Sequence, residues 1–280
     1  MMDGKALAAK VRDGVAREVA ELGHVGLATV LVGDDPASRV YIAAKHKAAI
    51  EAGIEARDVR LPTDTSEADV LALVAELNES DDVDGILVQL PLPGHMDETR
   101  VTYAVAPLKD VDGFHPLNAG NLYLGTPIHV PATPSGCMEL LAEYGVDPKG
   151  MEAVVIGRSE IVGRPMAMLL MHAHATVTVC HSRTQDLAGH VRRADIVVAA
   201  VGRPGIVTPD MVKPGAIVLD VGLTRTDEGI RGDVDPAVAE VAGFLTPMPG
   251  GTGPMTIAML LRSTLRAARF RRGLLAYPGA

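Results

Sequence analysis

The chain has no tryptophan, only three phenylalanines and five tyrosines. Its core must therefore be built from Ala, Val, Leu and Ile, and each aromatic position calls for a reason. Cysteine is also scarce. Cys137 and Cys180 are far apart and lack metal-ligand spacing, so a reduced cytosolic compartment fits best and no metal is expected. No apolar run approaches the ~18 residues of a membrane helix, and no membrane association is expected. Positive charge is in deficit: 26 Lys and Arg against 35 Asp and Glu give a net charge of −9. A general nucleic-acid surface is thus not expected. The one basic cluster, Arg262, Arg266, Arg269, Arg271 and Arg272, reads as a solvated face at a helix C-terminal end. The N-terminus lacks the basic-then-apolar order of a signal peptide, so a reducing, cytoplasmic location is expected.

What remains is an ordinary globular composition, 48% hydrophobic and 22% charged, at a length of 280 residues that suits two α/β lobes. The first half alternates helix and strand. Residues 3–22 read as an amphipathic helix, 25–33 as a buried strand, 38–52 as a helix starting at Ser38 and stopped by Gly53. A strand over 54–61, a helix over 66–78, the strand "GILVQL" at 85–90 and a short helix near 97–105 follow. This order predicts a parallel sheet. Residues 107–122 are polar, turn-rich and long for a mere connector. After a helix over 134–145, the segments 151–157, 175–184, 194–205 and 215–225 repeat a strand running into a polar or glycine-bearing loop. They predict a dinucleotide-binding sheet. A Pro/Gly loop and a long helix close the chain over 245–268.

The cofactor signal is "VVIGRSEIVGRP", where a strand enters Gly157 and Gly163 with Pro165 opens a helix. Backbone N–H groups at such a helix start can hold a pyrophosphate. The spacing is not GxGxxG, and a plain strand-to-helix turn explains it as well. The next strand ends in Cys180-His181-Ser182-Arg183, with no acid for a ribose 2′-hydroxyl. Arg158 and Arg183 suit a 2′-phosphate instead, so NADP is expected rather than NAD.

The chemical signal lies in the first half. In "YIAAKHKAA", Tyr41 and Lys45 sit four apart, on one helical face. A surface pair with a snorkelling lysine accounts equally well for that spacing. Gln89 stands at the carboxyl end of a predicted parallel strand, where α/β sheets bind ligands, although a polar strand end is just as ordinary. Asp110 and Asp112 in "KDVDGF" fit Asx turns as well as a site, and His115 reads as a loop residue. "PGGTGP" at 249–254 offers backbone donors or a hinge.

Taken together, "YIAAKHKAAIEAGI", "GILVQLPLP", "KDVDGFHPLNAGNL", "PATPSG", "GRSEIVGRP", "ATVTVCHSRT", "VKPGAIVLDVG" and "PGGTGPMTIAMLL" resemble one family over nearly the whole chain. It is the bifunctional methylenetetrahydrofolate dehydrogenase/methenyltetrahydrofolate cyclohydrolase family. The resemblance implies two α/β lobes around a cleft. A folate-binding catalytic lobe would span 1–119 with the helix 254–280 returning to it, and a Rossmann-type NADP lobe would span 120–253. It implies a small-molecule folate substrate and a homodimer. It implies that Lys45 is the main catalytic residue, that Tyr41 stacks on the folate, that Gln89 orients Lys45 and that Asp112 holds the pterin. Val88, Gln89, Leu90 and Pro249, Gly250, Gly251, Thr252, Gly253 would line the folate site. Gly157, Arg158, Ser159, Ser182 and Leu223 would line the NADP site. Two departures stand out. Ala132 replaces the cysteine of the usual "PCTP", which argues against a required thiol, and Glu160 places an acid within the cofactor loop.

A two-lobed oxidoreductase of the shikimate dehydrogenase kind would share a lysine in its first lobe. It does not call for the Tyr41, Lys45, Gln89 set together with "PGGTGP". A non-catalytic NADP sensor on the same fold is the remaining alternative.

Overall fold

The computed structural model of the chain describes residues 1–227 and 229–276. The chain forms two compact units, one comprising Met1–Ala8 and Thr133–Thr256, the other Ala9–Ala132 and Ile257–Ala280. The C-terminal helix thus groups largely with the first half of the sequence; residues 277–280 of that predicted stretch lie outside the described residues.

The helix α1 (Gly4–Leu22) buries Leu7, Val11, Val15 and Val19, one residue per turn. In the 9–132 unit, β1 (Gly26–Val32), β2 (Glu55–Leu61) and β3 (Gly85–Val88) form a parallel sheet in the order β2-β1-β3. The central strand β1 is buried along its whole length, as a parallel strand covered on both faces must be. Edge strand β2, "EARDVRL", alternates exposed and half-buried positions, and its charges discourage pairing with other chains. α2 (Pro36–Glu51) begins at Pro36 rather than at Ser38, because proline's fixed φ suits the first helical turn. Gly53 at φ +77 stops it, as expected. α3 (Glu67–Glu79) is capped by the Ser66 hydroxyl and buries Val70, Val74 and Leu77. α4 (Glu98–Tyr103) is capped by Asp97.

The stretch 107–122 is not wholly a connector: α5 (Pro116–Leu124) occupies its second half. His115 Nδ1 accepts from Leu117 N–H at its start, Pro116 opens it and Gly125 closes it in the left-handed conformation. The length of the stretch is in keeping with this helix, whose polar residues conceal its end signals. α6 (Ala132–Glu143) leads into the second sheet.

That sheet comprises β4 (Glu152–Ile156), β5 (Thr176–Cys180), β6 (Ile196–Ala199), β7 (Ile217–Asp220) and β10 (Phe244–Leu245). All are parallel, in the order β10-β7-β6-β4-β5. α7 (Gly163–His172) connects β4 to β5, and a short α8 (Leu187–Val191) connects β5 to β6. A small antiparallel hairpin, β8 (Thr224–Thr226) and β9 (Gly229–Arg231), escaped the sequence reading because its strands are too short for a periodicity signal. α9 (Thr252–Arg271) ends the described fold.

The basic cluster on α9 is not simply solvated. Arg271 donates to Asp84 Oδ1 at 2.7 Å and to Val83 O at 2.9 Å, and Asp84 is 2% exposed. Arg272 donates to Leu22 O, Arg269 pairs with Glu18, and Arg266 donates to Pro127 O. These arginines anchor the helix to carbonyls and acids of residues 18–127. Among the described residues no helix is long and apolar enough to cross a membrane.

Candidate active site

The helix α2 and the end of β3 bring the first group of predicted residues together. Ile42, Ala48 and Ala49 bury one face of α2, and His46 Nδ1 stands 3.1 Å from Asp58 Oδ1 on β2. This fixes the helix rotation, so that Lys45 points inward at 6% exposure while Lys47 stays in solvent beside Glu51. Lys45 Nζ lies 4.7 Å from the Tyr41 ring centroid, a cation–π contact. It donates to Gln89 Oε1 at 3.2 Å. The Gln89 amide cannot turn over, because its Nε2 is committed to Leu90 O at 2.6 Å. Gln89 itself is fixed by its N–H to Val30 O on the neighbouring strand.

Asp112 completes the group. A bridge between Ile86 and Asp110 and the bond from Ile86 N–H to Lys109 O lay the "KDVD" loop along β3. Asp110 is buried and accepts from His115 N–H and Asn118 Nδ2, both at 2.8 Å. Asn118 also holds Pro107 O, and His129 Nε2 meets Leu108 O. This carboxylate-and-amide scaffold sets where Asp112 stands. Burial lowers the Lys45 pKa from its ordinary value, and the charge of Asp112 opposes that. Burial pushes Asp112 up to about 6; Lys45 pulls it down and Asp110 pushes it further up. Lys45 is thus packed against Tyr41 and Gln89 in the interior and does not snorkel to solvent.

Val88 differs from its neighbours: its side chain packs in the core with Val30, Val70 and Ile86, so only its backbone can face a ligand. Leu90 is half-buried. Pro249, Gly250, Gly251, Thr252 and Gly253 lie in the other compact unit, at the start of α9. There Thr252 is buried and donates to Asp220 O at 3.1 Å. Gly250 has φ +112, and a Cβ on Gly251 would lie 2.7 Å from Pro247 O, so this turn admits no side chain at 251.

All five residues predicted for the cofactor line one cavity of about 470 Å³: Gly157, Arg158, Ser159, Ser182 and Leu223. It opens at the carboxyl ends of β4 and β6, where the order of connections reverses, the usual ligand position in a doubly wound sheet. Gly157 is at φ +123, and a Cβ there would stand 2.4 Å from Ala200 O. This close approach of two strand ends leaves room for a flat, extended ligand against bare backbone. The helix start works differently from expectation. Ser159 Oγ accepts from Val162 and Gly163 N–H, Ser159 O accepts from Arg164 N–H, and Pro165 has no N–H. The first-turn donors of α7 are thus already occupied, which leaves the Gly157–Ser159 segment and the opposite loops facing the cavity. Arg183 does not line the cavity, whereas His181 does. Glu160 is exposed, pairs with Arg164 at 2.8 Å and does not line the cavity either.

Two buried carboxylates behind this cavity escaped the sequence reading. Asp220 accepts from Asp233 and Val234 N–H, and Asp233 accepts from the loop after β6. Burial pushes the Asp220 carboxyl up to about 6, while the bonds from Asp233 and Val234 N–H hold it down. Nothing local marks them, since their partners are backbone groups of distant segments.

Residues 2–112 match the family model for the tetrahydrofolate dehydrogenase/cyclohydrolase catalytic domain, and residues 131–272 that for its NAD(P)-binding domain. The bifunctional protein FolD of Moorella thermoacetica is 55% identical over 96% of this chain and 98% of its own length. The crystal structure of the bifunctional FolD methylenetetrahydrofolate dehydrogenase/cyclohydrolase of Campylobacter jejuni superposes with a TM-score of 0.95. It is 46% identical and covers 96% of this chain and 98% of its own. The Trypanosoma brucei methylenetetrahydrofolate dehydrogenase-cyclohydrolase, solved with NADP and an inhibitor, gives 0.92 at 40% identity. The match covers 99% of this chain and 98% of that one. A shikimate dehydrogenase of Thermus thermophilus shares the fold alone, at 20% identity and a TM-score of 0.51.

Proposed function

The chain belongs to the tetrahydrofolate dehydrogenase/cyclohydrolase family, and from that premise we propose that it oxidises 5,10-methylenetetrahydrofolate with NADP⁺ and hydrolyses the 5,10-methenyl product to 10-formyltetrahydrofolate. The observation that carries this reading is a buried lysine held by a neutral amide. Lys45 is desolvated, bonded to Gln89 Oε1 and coupled to Asp112.

The first step requires alignment more than acid or base. NADP⁺, when bound, accepts the hydride from the methylene carbon. Tyr41 offers a flat, rigid face to the aromatic part of the folate. Asp112, ionised, accepts from the pterin N–H groups. Pro249 to Gly253 and the backbone of Val88 and Leu90 we assign to folate contacts. On the cofactor side, Gly157 and Ser159 present bare backbone, and Arg158 with Ser182 suits a 2′-phosphate. The chemistry of this donor set fits NADP rather than NAD, because no acid ends β5.

The second step adds water to a cationic carbon, opens the ring and requires proton transfer. A lysine at an ordinary pKa of about 10.4 is a poor base at neutral pH. Burial and a bound cation both favour neutral Lys45, so Nζ can take the proton from the attacking water. Gln89 orients that nitrogen without fixing its charge.

We propose a functional division into a folate lobe over 1–119 with 254–280 and an NADP lobe over 120–253; the grouping of Ile257–Ala280 with Ala9–Ala132 supports the return of the last helix to the first lobe. We further propose a homodimer. The exposed apolar residue Val179 on edge strand β5, with Ile161 and Met171 nearby in sequence, supports it. Light scattering should give about twice 29.3 kDa; a clean monomer at micromolar concentration would remove this part. Two buried, unpaired cysteines support a cytoplasmic location. The decisive assay mixes purified protein with methylenetetrahydrofolate and NADP⁺ and follows NADPH and the methenyl compound by absorbance. Absence of turnover would leave an NADP-binding protein without this activity.

A further inference from the structure

The cofactor cavity has a wall whose shape no local interaction explains. Val201 and Gly202, in the loop after β6, line it, as do Val221, Gly222 and Leu223 after β7. Three consecutive N–H groups of the first loop converge on one side chain. Val201 N–H and Gly202 N–H donate to Asp233 Oδ2 at 2.6 and 3.1 Å, and Arg203 N–H donates to Oδ1 at 2.5 Å. Asp233 is fully buried and lies 30 to 32 residues further along the chain. It does not itself line the cavity.

The same carboxylate shapes the second loop. A Cβ on Gly222 would lie 2.0 Å from Asp233 Cγ, so the loop after β7 lies directly against it. Asp233 is in turn held by its own N–H to Asp220 Oδ1 at 2.8 Å, and Val234 N–H reaches Asp220 Oδ2 at 3.1 Å. Its carbonyl accepts from Val207 N–H, and Thr224 Oγ1 donates to Gly202 O. Together these bonds tie the segment 220–234 to the stretch that follows β6. A run of successive N–H groups wrapped on an anion is the arrangement that other proteins use for phosphate. Here the anion is internal, and the loop's outer face is left to the cofactor.

We propose that Asp233 is the positioning residue of the cofactor site: it fixes both loops that meet NADP⁺ and thereby sets cofactor affinity, without touching cofactor or folate. The assignment rests on the reading of this cavity as the NADP site. It separates two activities of one protein. Hydrolysis of added methenyltetrahydrofolate needs no nicotinamide cofactor, so it reports on the rest of the molecule.

The test uses the full chain with Asp233→Ala and Asp233→Asn. NADP⁺ binding is titrated calorimetrically, and both activities are measured. Asp233→Ala, which leaves three backbone donors without an acceptor, should weaken NADP⁺ binding and raise the KM for NADP⁺ at least tenfold. Hydrolysis of methenyltetrahydrofolate and the KM for methylenetetrahydrofolate should stay within twofold. Asp233→Asn keeps one acceptor oxygen and should fall between the two. NADP⁺ binding within twofold of the parent in both variants would overturn the proposal. So would a parallel loss of hydrolysis, or failure of both variants to fold, since each would make Asp233 a general structural residue. If the parent bound NADP⁺ but turned over no folate, the titration would still decide the role of Asp233, and only the proposed reaction would fail.

Discussion

Replacing Gln89 by glutamate puts the mechanism under the most direct strain. The structure places Gln89 Oε1 3.2 Å from Lys45 Nζ, in a region where Lys45 is 6% exposed. Two unit charges at that distance attract by about 5 kcal/mol at an effective dielectric of about 20. Part of this is lost. The parent amide oxygen already accepts from the ammonium, an interaction worth about 1.5–3 kcal/mol that the substitution gives up, whereas the unmet Leu90 carbonyl is common to both protonation states of Lys45 and does not enter. The remainder, about 2–3.5 kcal/mol, stabilises the ammonium and lowers the population of neutral Lys45 about 30- to 400-fold. If neutral Lys45 is the base, hydrolysis of methenyltetrahydrofolate at pH 7 should fall by that factor, and the ascending limb of its pH–rate profile, which follows deprotonation of Lys45, should move to higher pH. Hydride transfer depends on alignment and should fall much less, so the methenyl compound accumulates beside NADPH. Gln89→Met serves as the uncharged control: it loses the orientation of Lys45 but should leave the limb near its parent position. An unchanged limb in Gln89→Glu, with a Lys45→Met variant that hydrolyses at the parent rate, would refute proton transfer by Lys45.

Other consequences are as specific. Arg158→Ala should narrow the preference for NADP⁺ over NAD⁺ about tenfold or more in kcat/KM, and equal use of both cofactors by the parent would defeat the assignment. Asp112 titrates near 6 against an ordinary 3.8, so the folded state holds that proton more tightly. Its contribution favours the fold below about pH 4 and is lost as pH rises through 6, so Asp112→Asn should stabilise the protein at pH 7.5 by up to about 3 kcal/mol and not at pH 4. A urea midpoint at pH 7.5 that stays put or falls would count against it. The same ionisation should lower the KM for methylenetetrahydrofolate as pH rises from 5 to 7, and Asp112→Asn should abolish that dependence. Gly157→Ala places a Cβ 2.4 Å from Ala200 O, and NADP⁺ binding should weaken at least tenfold while hydrolysis of methenyltetrahydrofolate survives.

The residues that the sequence made legible and those that it hid differ in one physical respect. Tyr41 and Lys45 were visible as a pair because helical periodicity alone puts them on one face. Gln89 was visible because the carboxyl end of a parallel strand is where such sheets bind ligands, although an ordinary polar strand end reads the same way. In each case the informative geometry lies within one element. The two halves of the sheet pattern were readable for the same reason, and the misreadings fall where end signals compete with polarity, as at Pro116 in α5 and Pro36 in α2. Asp110 and Asp233 belong to the opposite case. Each is an aspartate in a turn-rich stretch, where an Asx turn explains it locally. Each instead reaches backbone or amide N–H groups, five to eight residues away for Asp110 and some thirty for Asp233. A carboxylate that binds backbone has a partner with no side-chain identity, so no motif can record the pairing. The proposed catalytic group is therefore spelled in side chains, while the loops that carry Asp112 and line the cavity after β6 and β7 are held by acids whose partners are set only in three dimensions.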